Sequence, residues 1–237
     1  MSKAIEWLKK HYMLIAAPVG AYSLYRIVDF FSGSGVKRAI AHGKYSSAMK
    51  FPLLMDAILK GEAKGYNDHN YYTTSGLKGY VEGSWGQRYP LFTKPLSEYT
   101  LGEIMSFQSK PTSQGRLWAI GQYQIITPTL ADIYSKAGLK WTDKLNKVNQ
   151  DKLGMQLIAK RPNLKKYLYG EVPDTDANLK RAAMDVAMEW SSVGVPYAVA
   201  GHWQNVAADQ SYYHPKDRGT TSTASIQKAL RLSRLKK

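Results

Sequence analysis

The chain has 237 residues, 44% of them hydrophobic, enough for one large domain with a sizeable core or a domain with an appendage. It carries 33 basic against 18 acidic residues, a formal charge of +15, which points to a polyanionic partner: nucleic acid, or an anionic cell envelope. The absence of cysteine excludes disulfides, cysteine nucleophiles and thiolate metal sites. The five histidines, at 11, 42, 69, 202 and 214, sit in no metal-ligand spacing, so neither a metal nor a cofactor is expected.

In chain order, residues 1–11 are polar and basic, and residues 12–25 carry no charge. That run falls short of the roughly 20 residues that span a bilayer as a helix. Extending it to Phe31 reaches the length but takes in Arg26 and Asp29, which are three apart and can pair on one helix face. Residues 1–34 therefore read as a buried N-terminal helix or docking arm, as an uncleaved signal anchor, or as an interfacial segment with residues 12–31 in contact with a membrane. A Ser/Gly linker at 32–35 marks a boundary, and the main domain is expected over 45–237.

Helical periodicity begins at Phe51 and runs to Glu62. Leu54, Ile58 and Glu62 are four apart and share one face, which places a carboxylate at the end of a core-facing stripe. Burial there would raise its pKa and suit a general acid working near neutral pH; a solvated glutamate on the last turn is the competing reading. Residues 63–100 lack an apolar repeat and are rich in Gly, Tyr, Asn and Thr, as in a long functional loop, with a short hairpin expected around 71–90. Thr100 with Glu103 forms a capping box for a short helix that Pro111 stops.

The segment Gly121-Gln122-Tyr123-Gln124-Ile125 lies in a turn just before another helix, which Thr127 should cap, with Pro128 in first position and Gly138 as the stop. An amphipathic helix is expected over 143–160, with Leu145, Val148, Leu153, Leu157 and Ile158 as its apolar positions, broken at Lys160-Arg161-Pro162. A further helix over 176–193 places Leu179, Ala183, Val186, Ala187 and Trp190 on one face and is ended by Gly194 and Pro196. Residues 209–225 are polar and turn-rich. The basic amphipathic segment from Ile226 to the C-terminus reads either as a docked helix with a wet back or as an envelope-binding tail. The fold class is mainly α (α+β), with one small irregular or β-hairpin element after the first core helix.

No G-x-S-x-G elbow, P-loop or dinucleotide fingerprint occurs, which leaves carboxylate chemistry or none. Glu62 closes an apolar helix and is followed by Gly65-Tyr66-Asn67 and Asn70. After the Gly121–Ile125 turn and Thr127-Pro128 come Gln150-Asp151-Lys152-Leu153, then Lys160-Arg161-Pro162. Glu189-Trp190 with Ser192-Val193-Gly194-Val195-Pro196 follows, and Ser211-Tyr212-Tyr213 closes the series. In order and separation this resembles the phage muramidase-type members of the lysozyme-like superfamily, over roughly residues 50–235.

The resemblance implies a lysozyme-like helical domain with an N-terminal helical extension, acting as a peptidoglycan glycosidase. Glu62 would protonate the oxygen between N-acetylmuramic acid and N-acetylglucosamine, and Gln122, Tyr123 and Gln124 would form the second wall of the sugar cleft. Asp68 and Glu82 are the candidates for a second catalytic carboxylate, which a retaining or inverting glycosidase requires. Lytic transglycosylases manage with one acid, because the sugar's own 6-hydroxyl attacks, so both reactions stay open. Asn70 and Thr74 are candidates for orienting water or sugar hydroxyls, and Tyr66, Tyr212 and Tyr213 for lining the cleft. Trp118 and Trp190 read as core, and Lys160 and Arg161 as helix-end residues. The implied partners are peptidoglycan glycan strands and the anionic envelope. The implied place of action is the cell wall, in the periplasm, reached by signal anchor, holin release or a virion. Two other readings stand: an inactive lysozyme-like component of a virion or secretion machine, and a basic nucleic-acid-binding protein. No helix-turn-helix, RNA-binding signature or zinc finger supports the second, so no specific nucleic acid is expected.

Overall fold

A computed structural model describes residues 45–62, 80–82, 88–90, 94, 96–111, 119–202, 204–213 and 219–235. All belong to Tyr45–Lys237, the second of the two units into which the chain divides. The readings for residues 1–34, and those for Tyr66, Asp68, Asn70, Thr74 and Trp118, lie outside the described residues.

The described residues form a mainly helical fold with three small antiparallel strand pairs. Helix α1, Pro52–Glu62, is followed by β1, Tyr80–Glu82, and β2, Arg88–Pro90, which pair with Val81 opposite Tyr89. A 3-10 turn at Leu96–Glu98 leads to α2, Leu101–Gln108. Strands β3, Ala119–Ile120, and β4, Ile125–Ile126, flank a tight turn that runs into α3, Thr127–Ile133. Then come α4, Lys147–Ala159, α5, Pro162–Leu168, and α6, Asp176–Ala187. The third strand pair is β5, Val199–Ala200, with β6, Asn205–Val206, and α7, Thr223–Ser233, is the last helix.

The helices pack in a continuous series, α2 on α3, α3 on α4, α4 on α5, α5 on α6, α6 on α7 and α7 on α1. The periodic stripe of α1 explains its place at the end of that series. Leu54, Met55 and Ile58 are fully buried, and against them α7 turns Ile226, Ala229 and Leu230. Each such side chain contributes about 1.5–3 kcal/mol by leaving water. The C-terminal basic segment is thus a docked helix, and its start is earlier than the apolar pattern suggests, because Ser222 caps it through the Ser225 amide.

Thr100 forms the capping box expected of it: its hydroxyl accepts from the Glu103 amide, and the Glu103 carboxylate accepts from the Thr100 amide at 2.7 Å. That backbone hydrogen bond, with Lys94 beside it, holds the Glu103 carboxyl below its ordinary range.

Three expectations need correction. Thr127 does not cap α3. Ile126 is the capping residue, Thr127 is the first helical residue, and its hydroxyl donates to the Gln108 carbonyl at 3.3 Å. Val148, assigned to the apolar face of α4, is exposed, because α4 begins only at Lys147 and its first turn faces solvent. The Lys160-Arg161-Pro162 break falls where the sequence puts it, and because proline is tolerated at a first helical position it also starts α5. Finally, α6 stops at Ala187, before Gly194 and Pro196. Glu189 and Trp190 both donate their amides to Val186, which closes the helix early and carries Trp190, still buried, into the next loop.

Candidate active site

The turn between β3 and β4 is built for close approach. Gly121 has a φ of 67°, and a side chain there would begin 2.5 Å from the Gln150 amide oxygen. That same oxygen accepts the Gln122 backbone N–H at 3.0 Å. Gln124 also has a positive φ, 50°, and its side-chain amide closes back on the Gly121 carbonyl at 2.8 Å. Tyr123 points inward against Gly154, where any larger residue would strike the ring.

Beneath the turn sits Asp151, fully buried on α4. Its Oδ1 accepts from the Tyr123 hydroxyl at 2.6 Å and from the Gln122 amide at 2.8 Å, and its Oδ2 from the Ser46 backbone N–H at 2.5 Å. A buried carboxylate needs donors of this kind to offset its desolvation. Gln122 therefore serves the interior of the turn, while Tyr123 and Gln124 line a cleft of about 480 Å³. That volume falls within the range of roughly 300–1,000 Å³ typical of small-molecule sites.

The opposite side of the cleft comes from the ends of three helices. Lys160 and Arg161 lie at the α4–α5 break, and Met188, Glu189, Trp190 and Ser191 follow α6; Tyr213 and His202 complete the wall. Pro162 forces Arg161 into extended backbone, with φ −106° and ψ 100°, which takes it out of the helical path. Its Nε donates to Glu189 Oε2 at 2.7 Å, and its Nη2 donates to the Met188 carbonyl. That carbonyl is among the last of α6, where a cation is favourable because helix-end carbonyls point outward unpaired. The Tyr213 hydroxyl donates to the same carbonyl at 2.7 Å. Burial pushes the Tyr213 phenol up, against the lowering effect of nearby Arg161, so it stays a neutral donor at neutral pH.

The end of α1 packs against residues that follow this wall in the chain. A side chain at Gly61 would begin 2.4 Å from Thr221 Oγ1 and 2.8 Å from the hydroxyls of Ser192 and Thr220. Thr221 also donates to the Ala57 carbonyl at 3.4 Å. The last turn of α1, which ends at Glu62, is thereby seated against Ser192, the residue after cleft-lining Ser191.

Of the residues singled out in the sequence, Tyr123, Gln124 and Tyr213 meet in one cleft. Tyr212 stacks edge-on against Tyr213, with centroids 5.2 Å apart, and does not line it. Glu82 ends β1. Trp190 is buried, as expected of a core residue, while contributing to the cleft wall. The sequence reading missed Glu189, His202 and the part played by Arg161. An arginine held extended by a following proline and an acid at the end of an apolar helix face mark each residue singly, but nothing in the sequence joins them as a pair, and nothing marked His202. Among the described residues no group of three or more His, Asp or Glu side chains is placed to hold a metal ion. Comparison with protein-family profiles, curated proteins and solved structures finds no match for the chain.

Proposed function

We propose that the protein cleaves the glycan strands of peptidoglycan, between N-acetylmuramic acid and N-acetylglucosamine, with Glu62 as the proton donor. The observation that carries this reading is the position of the cleft. It opens between the Tyr123–Gln124 turn and the Trp190–Ser191 stretch, and the helix that carries Glu62 ends against Ser192, the residue after cleft-lining Ser191. The polar lining suits a hydroxyl-rich ligand: an amide, a phenol and an ion pair, with rings to stack on sugar faces.

In the reaction, the acid hands its proton to the bridging oxygen as the bond from that oxygen to the anomeric carbon breaks, and a water or sugar hydroxyl then bonds to that carbon and gives its proton back to the carboxylate. Water as nucleophile gives hydrolysis, and the 6-hydroxyl of the same sugar gives an anhydro product. A net charge of +15 draws the chain to the anionic envelope where this substrate lies.

The test is clearing of purified cell walls. Wild type is expected to clear them, and Glu62→Gln to lose at least about 100-fold in rate, the usual size of a general-acid contribution, with folding intact. Failure of the wild type to clear, or clearing undiminished in Glu62→Gln, would overturn the reading. Mass spectrometry of the digest, scoring anhydromuramyl against reducing ends, separates the two reactions.

A further inference from the structure

The first residues of the second unit, Tyr45 to Phe51, form a strap tied to two helices. Tyr45, Met49 and Phe51 are buried. The Tyr45 hydroxyl donates to Asp56 Oδ1 on α1 at 3.1 Å, and the Phe51 ring meets the Tyr169 ring edge-on at 5.3 Å. Within the strap, the Met49 amide donates to the Ser46 carbonyl at 3.1 Å and the Ala48 amide to the Ser46 hydroxyl at 3.2 Å. The Ser46 amide itself points out of the strap, to Asp151 Oδ2 on α4. No strap residue lines the cleft.

Asp151 Oδ1 serves the other end of this chain of bonds, accepting from the Tyr123 hydroxyl and the Gln122 side-chain amide in the cleft turn. A strap outside the cleft and a turn that lines it thus share one buried carboxylate. Its two oxygens belong to one rigid plane, so neither moves without the other. A fully buried carboxylate that loses one of three donors is left short of the bonds that offset its desolvation. It recovers them by turning, and turning breaks the bonds at the far oxygen. Hydrogen-bond networks buried in this way are worth more together than pair by pair. The rest of the turn is held separately. Gln108 Nε2 donates to the Ile125 carbonyl at 2.8 Å, and the Gln150 oxygen accepts the Gln122 amide. The coupling therefore falls on the side chains of Gln122 and Tyr123.

We propose that Ser46 is a positioning residue for the cleft, acting through Asp151, and that the strap and the cleft turn order and loosen together. By linkage, the effect of the strap on the turn equals that of the turn on the strap. The strap is the point at which residues 1–44 join the second unit covalently. A pull on the preceding chain therefore reaches the cleft through Ser46, and a ligand that orders the turn steadies the strap. The coupling holds whichever ligand the cleft takes, so it stands apart from the glycan-cleaving reading.

The experiment is amide hydrogen exchange on the full chain, read on the strap (45–50), the turn (119–126) and α6 (176–187) as a reference. Ser46→Pro removes the donor to Asp151 Oδ2. It is expected to speed exchange in the turn about tenfold while α6 stays within about twofold. Ser46→Thr keeps both the amide and a hydroxyl and should exchange like wild type. In the other direction, Tyr123→Phe deletes only the hydroxyl that Asp151 Oδ1 accepts from, and should speed exchange in the strap by a similar factor. Unchanged exchange in the turn of a folded Ser46→Pro protein, or in the strap of Tyr123→Phe, would overturn the coupling. So would equal acceleration of all three peptides, which marks a global loss of stability. If Ser46→Pro fails to fold, Tyr123→Phe carries the test.

Discussion

Asp151 shows how one side chain sets the shape of the cleft. It is fully buried, and three donors from two distant stretches of chain converge on it: Ser46 at the start of the described domain, and Gln122 and Tyr123 in the turn. Replacing it leaves buried donors without an acceptor, at about 1–3 kcal/mol each. Asp151→Ala is therefore expected to lower the denaturant midpoint by the equivalent of several kcal/mol. Asp151→Asn keeps one acceptor oxygen and should lose less. Both should weaken glycan binding, since Tyr123 and Gln124 line the cleft from the same turn. A stability unchanged in Asp151→Ala would show that the carboxylate does not bear this strain.

Helix α1 is defined as much by its last turn as by its apolar stripe. The stripe of Leu54 and Ile58 fixes which face is buried. Gly61 fixes how closely the helix end approaches Ser192, Thr220 and Thr221. Inside an ordinary helix, glycine is destabilising relative to alanine by roughly 0.5–1 kcal/mol. Here the sign should reverse. Gly61→Ala introduces a methyl 2.4 Å from Thr221 Oγ1, and overpacking of that kind costs about 1–3 kcal/mol. Thermal unfolding is the check, and wall clearing should fall with it, because the helix end moves relative to the cleft. A more stable Gly61→Ala would mean that the threonines yield freely.

Across the molecule, α5, the loop before α6 and α7 are joined through Tyr167. Its ring is fully buried, and its hydroxyl donates to Asp174 Oδ1 at 2.5 Å. Arg231 on α7 reaches Asp174 and Asp176, and the Leu235 amide donates to the Leu168 carbonyl at 2.8 Å. Burial, then the Asp174 carboxylate, pushes the Tyr167 phenol from 10.0 up to about 12. The neutral phenol is thus favoured in the folded state. Its contribution to stability is complete below pH 10 and is lost as pH rises from there towards 12. Asp174, held below its ordinary range chiefly by the Tyr167 hydrogen bond, acts at the other end: its contribution is present above the ordinary carboxylate range and is lost in acid. Unfolding temperatures measured from pH 9 to 12 should fall less steeply in Tyr167→Phe than in wild type. Parallel slopes would remove Tyr167 from the account.

Local physics made several parts of this protein readable from its residues. The period of α1, the Thr100–Glu103 capping box and the Gly121–Gln124 turn each rest on neighbours within a few positions, where side-chain spacing and backbone freedom decide the outcome. The burial of Trp190 was readable, but the early end of α6 was not, because amides closing on Val186 ended the helix before its apolar pattern did. Nor was the Arg161–Glu189 pair, whose members lie 28 residues apart. A charge pair has no periodicity, and its partners are known only once two helix ends have been packed side by side. The same holds for the helix end that carries Glu62: its place in the chain is written in the sequence, but its contacts with Ser192, Thr220 and Thr221 exist only once α7 has folded back onto α1.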